Sequence, residues 1–227
     1  MTFKPGRIDT VLVDSYGTLV NEVSTTETLE KYTQQPTAIA HIWDLRGSIY
    51  GITSAVLDEF KPTVDRYEVS LDYALEAVGA EVTESQRQEI IDSVNQLEIY
   101  SDVRSGLERL VDAGYEVYIL SNGDPEMLDQ LVEHVDIDDL VVETISAADI
   151  GVCKPDRRLY RHAAARTNTP VTGIAHVAGS WYDIQGALHT GMQGVWINRD
   201  QSKWETFLSE PSLKIESFHD LADALDA

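Results

Sequence analysis

The sequence predicts a doubly wound, Rossmann-like α/β fold whose parallel sheet is interrupted after its first strand by an all-helical cap. Three observations predict it. In Ile8–Leu19 a continuous apolar run, Val11, Leu12 and Val13, has the character of a strand buried on both faces and ends on a carboxylate, Asp14. From Ser24 to about Leu97 apolar residues recur at helical spacing. Beyond that point short β-rich runs alternate with amphipathic segments, which implies right-handed crossovers and a parallel sheet.

The first strand therefore belongs to a sheet whose other strands begin about a hundred residues later, and the intervening helices form an insert over its end. The expected division is 1–22 with 98–227 as the α/β core and 23–97 as the helical cap. Within the cap, Leu29 and Tyr32, then Ile39, Ile42, Trp43 and Leu45, then Leu71, Ala74, Leu75 and Val78 carry the helical spacing. Within the core, Tyr115–Leu120, Val141–Ile145, Ile174–Val177 and Gly194–Ile197 read as strands. Pro125–His134, Arg157–Arg166, Tyr182–Thr190 and His219–Leu225 read as the helices that follow them.

Charge narrows the setting. The 227 residues include 39 acidic and 17 basic side chains, a formal net charge of -22. Self-repulsion of that size destabilises a compact state in dilute buffer, whereas a Debye length of about 3 Å at 1 M salt screens most of it. The composition reads as a halophilic adaptation to a salt-rich cytoplasm, with an ordinary acidic protein as the alternative. A phosphate backbone would be repelled, so nucleic acid is not an expected partner. No apolar run approaches the roughly 20 residues needed to span a bilayer, and no leader pattern is evident, so a cytoplasmic protein without a membrane partner is expected. The single cysteine, Cys153, excludes an internal disulfide and a cysteine-based zinc site.

Aligned strands would bring several polar groups to one sheet end. Gly17 supplies a tight turn after Asp14, and Thr18 a hydroxyl close to its carboxylate. In YILSNGDP, Ser121 and Asn122 follow a strand and precede a helix, where Ser121 can either donate to an oxyanion or serve as an ordinary turn residue. Lys154 in GVCKPDRRLY is the only lysine between Lys61 and Lys203, a compact charge suited to a carboxylate nucleophile or an anionic substrate. Tyr160 can lie on the inward side of the next helix or simply pack. In GSWYD, Ser180 and Tyr182 lead to Asp183 at a helix start, where an acidic residue also suits the macrodipole. The six histidines show no metal-binding spacing, and none is assigned to a metal.

Together, Asp14–Leu19, LSNG at 120–123, Lys154-Pro155-Asp156 and Asp183-x-x-Gly186-Ala187 resemble the four motifs of the haloacid dehalogenase superfamily of hydrolases. DSYGTL, LSNGDPEML, KPDRRLY and GVWINR are most similar to the L-2-haloacid dehalogenases. The resemblance implies that Asp14 is the nucleophile, that Thr18 and Ser121 hold its carboxylate and that of the substrate, and that Lys154 neutralises charge. Tyr160 and Asp183 would complete a pocket that guides water, with Tyr16, Asn122, Ser180 and Tyr182 beside the substrate. The implied chemistry is hydrolytic dehalogenation of a small anionic substrate through an aspartyl ester, without a cofactor, in a homodimer. Two positions depart from the pattern. Asp44, after Trp43, stands where these enzymes carry an Arg that grips the leaving halide, and Arg46 is the cation nearest in sequence that could replace it. Ser180 stands where an Asn is usual. The alternatives are a Mg²⁺-dependent small-molecule phosphatase of the same fold, with Asp14 and Asp183 as metal ligands, and a non-catalytic binding protein. Against the phosphatase, its second Asp and its extra metal-binding Asp are replaced here by Tyr16 and Gly179.

Overall fold

The computed structural model describes residues 2–21 and 23–227; Met1 and Glu22, the latter at the expected core–cap boundary, lie outside the described residues. Strand β1 (Thr10–Val13) leads into four helices, α1 (Val23–Glu30), α2 (Pro36–Val56), α3 (Thr63–Val78) and α4 (Glu84–Asp92). Then follow α5 (Val103–Asp112), β2 (Glu116–Ser121), α6 (Pro125–His134), β3 (Glu143–Ser146), α7 (Arg157–Arg166), β4 (Ile174–Ala178), α8 (Trp181–Thr190), β5 (Gln193–Ile197), β6 (Leu213–Ile215) and α9 (Phe218–Ala224). The described strands form one parallel sheet in the order β3-β2-β1-β4-β5-β6.

The apolar run of β1 is explained by helices on both faces. Val11 and Val13 pack with Val117, Ile119, Leu107 and Phe218 on one side, and Leu12 packs with Tyr118, Leu120, Leu159 and Tyr160 on the other. Because β1 lies between β2 and β4, its carboxyl end opens on the point where the chain order reverses, the usual place for a ligand crevice in such sheets.

The four inserted helices bury their own cluster, Leu29, Ile39, Trp43, Leu71, Ala74, Leu75, Ile90 and Ile91. The chain enters and leaves this cap along two adjacent segments, joined by Asn21 N–H to Glu98 C=O at 2.9 Å and Tyr100 N–H to Leu19 C=O at 3.0 Å. A third tie comes from the core: the Asp124 carboxylate accepts the Thr63 N–H at 2.7 Å and the Val64 N–H at 3.2 Å, capping the N-terminus of α3 from another part of the chain.

Two elements were not expected from the sequence. Helix α5 joins the cap to β2, and the three-residue β6 extends the sheet beyond β5. Among the described residues no helix is long and apolar enough to cross a membrane.

Candidate active site

A cavity of about 710 Å³ lies between the carboxyl ends of the central strands and the cap. Asp14, immediately after β1, forms its floor. The turn that follows needs Gly17 at a φ of 69°, and it returns Thr18 so that its hydroxyl donates to Asp14 Oδ2 at 3.0 Å. Thr18 Oγ1 in turn accepts the Gly179 N–H at 2.9 Å, which ties the β1 loop to the β4 loop.

Lys154 is 2% exposed and its ammonium stands 2.7 Å from both Asp14 Oδ1 and Asp183 Oδ2. Asp183, in the first turn of α8, is held three ways, because its Oδ1 also accepts from Tyr160 Oη and His176 Nε2, each at 2.7 Å. A buried cation between two carboxylates, with further donors on one of them, forms a closed polar network. Desolvation opposes the charge on Asp183, but His176 and Lys154 outweigh it and hold its carboxyl far below the ordinary carboxylate range. Asp14 differs. Burial pushes its carboxyl up, Lys154 pulls it back, Asp183 adds to the rise, and the balance leaves Asp14 above its ordinary value. Asp14 is thus the more basic carboxylate of the pair and, at 9% exposure against 1% for Asp183, the one more open to the cavity. Desolvation also works against the Lys154 ammonium, yet Asp14 and Asp183 keep it above its ordinary value.

The expected residues divide by distance from the cavity. Asp14, Tyr16, Ser121, Asn122, Lys154, Ser180, Tyr182 and Asp183 line it. Ser121 Oγ shares a 2.7 Å hydrogen bond with Ser15 Oγ and accepts the Gly123 N–H at 3.0 Å. Asn122 braces the lysine loop, its Oδ1 accepting the Lys154 N–H at 2.9 Å. Desolvation, together with the charges of Asp14, Asp183 and Asp44, pushes the Tyr182 phenol up to about 12, so it is a proton donor rather than a base.

Two expectations are corrected. Tyr160 does not border the cavity. It lies under α8 against Gly186, where a Cβ would come within 2.3 Å of Tyr160 Oη, and it acts on the cavity only through Asp183. Arg46 is turned the other way on α2, where its guanidinium sits 4.1 Å from the Tyr73 ring centroid and donates to Tyr73 Oη at 2.7 Å. Asp44, by contrast, lines the cavity, and desolvation pushes its carboxyl up.

Three residues of the site were missed. Ser15 supports Ser121, His176 reaches Asp183 from inside β4, and Arg66 brings a cation into the cavity from α3. A histidine in the apolar run IAHVA was the one signal available in the sequence.

The residues present do not suit a divalent ion. Among the described residues no group of three or more His, Cys, Asp or Glu is arranged to hold a metal, and the Lys154 ammonium already bridges the two carboxylates that would ligate one. Gly179 cannot carry a third, because a Cβ there would be 2.7 Å from the Gly17 carbonyl oxygen.

The cavity has a charge gradient. Lys154, Arg66 and Arg199 line it alongside the buried Asp14 and Asp183, while the exposed Glu27, Glu30, Asp44 and Asp200 also border it.

Known proteins share this architecture. The chain is 26% identical over 219 residues to an (S)-2-haloacid dehalogenase of Pseudomonas putida, covering 96% of this chain and 98% of that protein. It is 28% identical over 187 residues to an (S)-2-haloacid dehalogenase of Burkholderia cepacia, covering 82% and 81%. A crystal structure of an L-2-haloacid dehalogenase superposes with a TM-score of 0.93 at 24% identity, covering 97% of this chain and 99% of that one. The family model for haloacid dehalogenase-like hydrolases matches residues 8–191, a span that runs from β1 through the end of α8, and the chain belongs to that family.

Proposed function

We propose that the protein hydrolyses short L-2-haloacids, with Asp14 as the nucleophile. The observation that carries this reading is the state of Asp14: a buried carboxylate at the floor of the cavity, fixed on one oxygen by Thr18 and on the other by Lys154. An Asp14 oxygen attacks C2 of the substrate, the new C–O bond forms as the carbon–halogen bond breaks, and the halide leaves with the bonding pair. Water then adds at the Asp14 carbonyl and the acyl–oxygen bond breaks, which releases a 2-hydroxy acid and regenerates Asp14. One proton is released with the halide, and the single displacement at C2 inverts its configuration. Lys154 keeps the nucleophile and Asp183 from repelling each other, and Asp183 with its three donors acts as a brace for Lys154 rather than as a base. Residues 23–97 serve as the cap that shuts water and substrate in, over a core of 1–22 and 98–227.

The setting is a salt-rich cytoplasm, supported by the net charge of -22. The protein works as a homodimer, supported by an apolar stripe on α2, Leu45, Ile49, Ile52 and Val56, that faces solvent along a 21-residue helix.

The test is halide release from each enantiomer of 2-chloropropionate at molar KCl-equivalent sulfate, with EDTA, for wild type and Asp14→Asn. Release from the L enantiomer that survives EDTA and is lost in Asp14→Asn is expected, with solvent ¹⁸O entering Asp14 during turnover. A folded wild-type protein that releases halide from neither enantiomer would overturn the proposal.

A further inference from the structure

Arg66 is the cavity's one guanidinium whose charge no carboxylate of the described residues cancels. It is 5% exposed, and its hydrogen bonds go to neutral oxygens: Nε to Lys61 C=O at 3.2 Å, Nη1 to Gly47 C=O at 3.1 Å, Nη2 to Thr63 Oγ1 at 2.6 Å and to Asn122 C=O at 3.5 Å. Carbonyls and a hydroxyl solvate a guanidinium without neutralising it, and a buried charge ordinarily finds a countercharge. The other cations of the cavity have one. Arg199 Nη1 stands 2.6 Å from Asp102 Oδ1, and Lys154 bridges Asp14 and Asp183. Asp124 is spent on the first amides of α3.

The fold makes room for this cation. Gly47 and Gly51 are one turn apart on α2, and a Cβ on Gly51 would lie 2.4 Å from Arg66 Nη1. The guanidinium therefore lies against the α2 face at Gly47 and Gly51, at the edge of the cavity. One Nη1 N–H donates to Gly47, and the second has no acceptor among the described residues.

We propose that Arg66 is the anion-binding residue of this cavity and holds a small monovalent anion of the substrate, its halide or its carboxylate, for attack by Asp14. The inference rests on the reading of this cavity as a site for an anionic substrate.

The experiment titrates bromide and propionate calorimetrically into wild type, Arg66→Gln, Arg66→Lys and the control Arg46→Gln in chloride-free buffer, with folding checked by circular dichroism and KM measured for 2-chloropropionate. Loss of a charge-assisted contact weakens the anion and raises KM by about 10- to 100-fold in Arg66→Gln, with Arg66→Lys between it and wild type and Arg46→Gln unchanged. Selective loss of bromide assigns Arg66 to the halide, selective loss of propionate to the carboxylate, and either supports the proposal. Should Arg66→Gln not fold, Gly51→Ala, which crowds Nη1 while retaining the charge, must weaken bromide or propionate relative to wild type. Folded variants that bind both anions with wild-type affinity and KM overturn the proposal and leave dehalogenation standing. Anion binding that depends on Arg66 in a protein that turns over no 2-haloacid supports Arg66 and removes the functional reading instead.

Discussion

Replacing Lys154 with Met removes the one charge that two buried carboxylates share while keeping nearly the same side-chain length. Breaking a buried ion pair from one side costs about 3–5 kcal/mol, because the partner is left charged and unpaired. Here one ammonium lies 2.7 Å from each of two carboxylates, so the upper end, about 5 kcal/mol, is expected at neutral pH. For a chain of this size that corresponds to a fall in Tm of roughly 10–20 °C. Asp183 would keep its bonds from Tyr160 and His176, whereas Asp14 would keep only Thr18, so Asp14 is the group that takes up a proton. Its folded pKa, already raised by burial, rises further while the unfolded value stays near about 3.9. Between those two values the native variant binds more protons than the unfolded chain. Its stability therefore falls as pH rises, by up to about 1.4 kcal/mol per pH unit. Wild type has the opposite contribution from Asp183. Its depressed pKa supplies stability that is present above the unfolded value and lost as pH falls through the folded one. The deficit of Lys154→Met should accordingly be largest near about pH 7.5 and shrink toward about pH 5, and adding Asp14→Asn should restore part of it. Guanidinium unfolding followed by circular dichroism at both pH values, for wild type, the two single variants and the double variant, measures this. A deficit under about 1 kcal/mol at neutral pH, or one of equal size at both pH values, would refute the assignment of Lys154 as the shared counter-ion.

Gly186→Ala places a methyl 2.3 Å from Tyr160 Oη, so either α8 shifts or the Tyr160–Asp183 bond breaks, and a loss of about 1–3 kcal/mol is expected in thermal melts; an unchanged Tm would show that the helix accommodates the methyl freely. Dilution below about 0.5 M salt should unfold the protein as screening weakens around its net charge of -22, and equal stability from molar salt to dilute buffer would count against the halophilic reading. Ile49→Asp on α2 should convert a dimer to a monomer in light scattering, whereas a wild-type protein already monomeric at about tens of micromolar would remove the dimer proposal.

The core was legible because its signals are local. Val11–Val13 is apolar without interruption, Pro125 opens α6, and Asp156 caps α7 through the Arg158 N–H, so these elements announce their own boundaries. The three-residue β6 carries too few residues to show a period, and α5 follows the cap's helices so closely that its pattern merges with theirs. Asp14, Thr18, Lys154 and Asp183 were readable because each stands beside a strand end or a helix start. Arg66 was not readable. Its entry into the cavity depends on how α3 crosses α2 at Gly47 and Gly51, a tertiary fact with no counterpart in residue spacing. Arg46, by contrast, follows from spacing alone, since two positions along a helix turn it to a different face from Asp44.

The exposed carboxylates that border the cavity, Glu27, Glu30, Asp44 and Asp200, bear on how fast a substrate arrives rather than on how it reacts. A small anion approaching this entrance meets like charge before it meets Lys154 or Arg66, so diffusion to the site is slowed by repulsion that counter-ions can mask. Most enzymes for anions lose encounter rate as ionic strength rises; here kcat/KM should climb with salt until the rim is screened. A concentrated medium would then open the cavity to an anion by the same screening that relieves the self-repulsion of a net charge of -22.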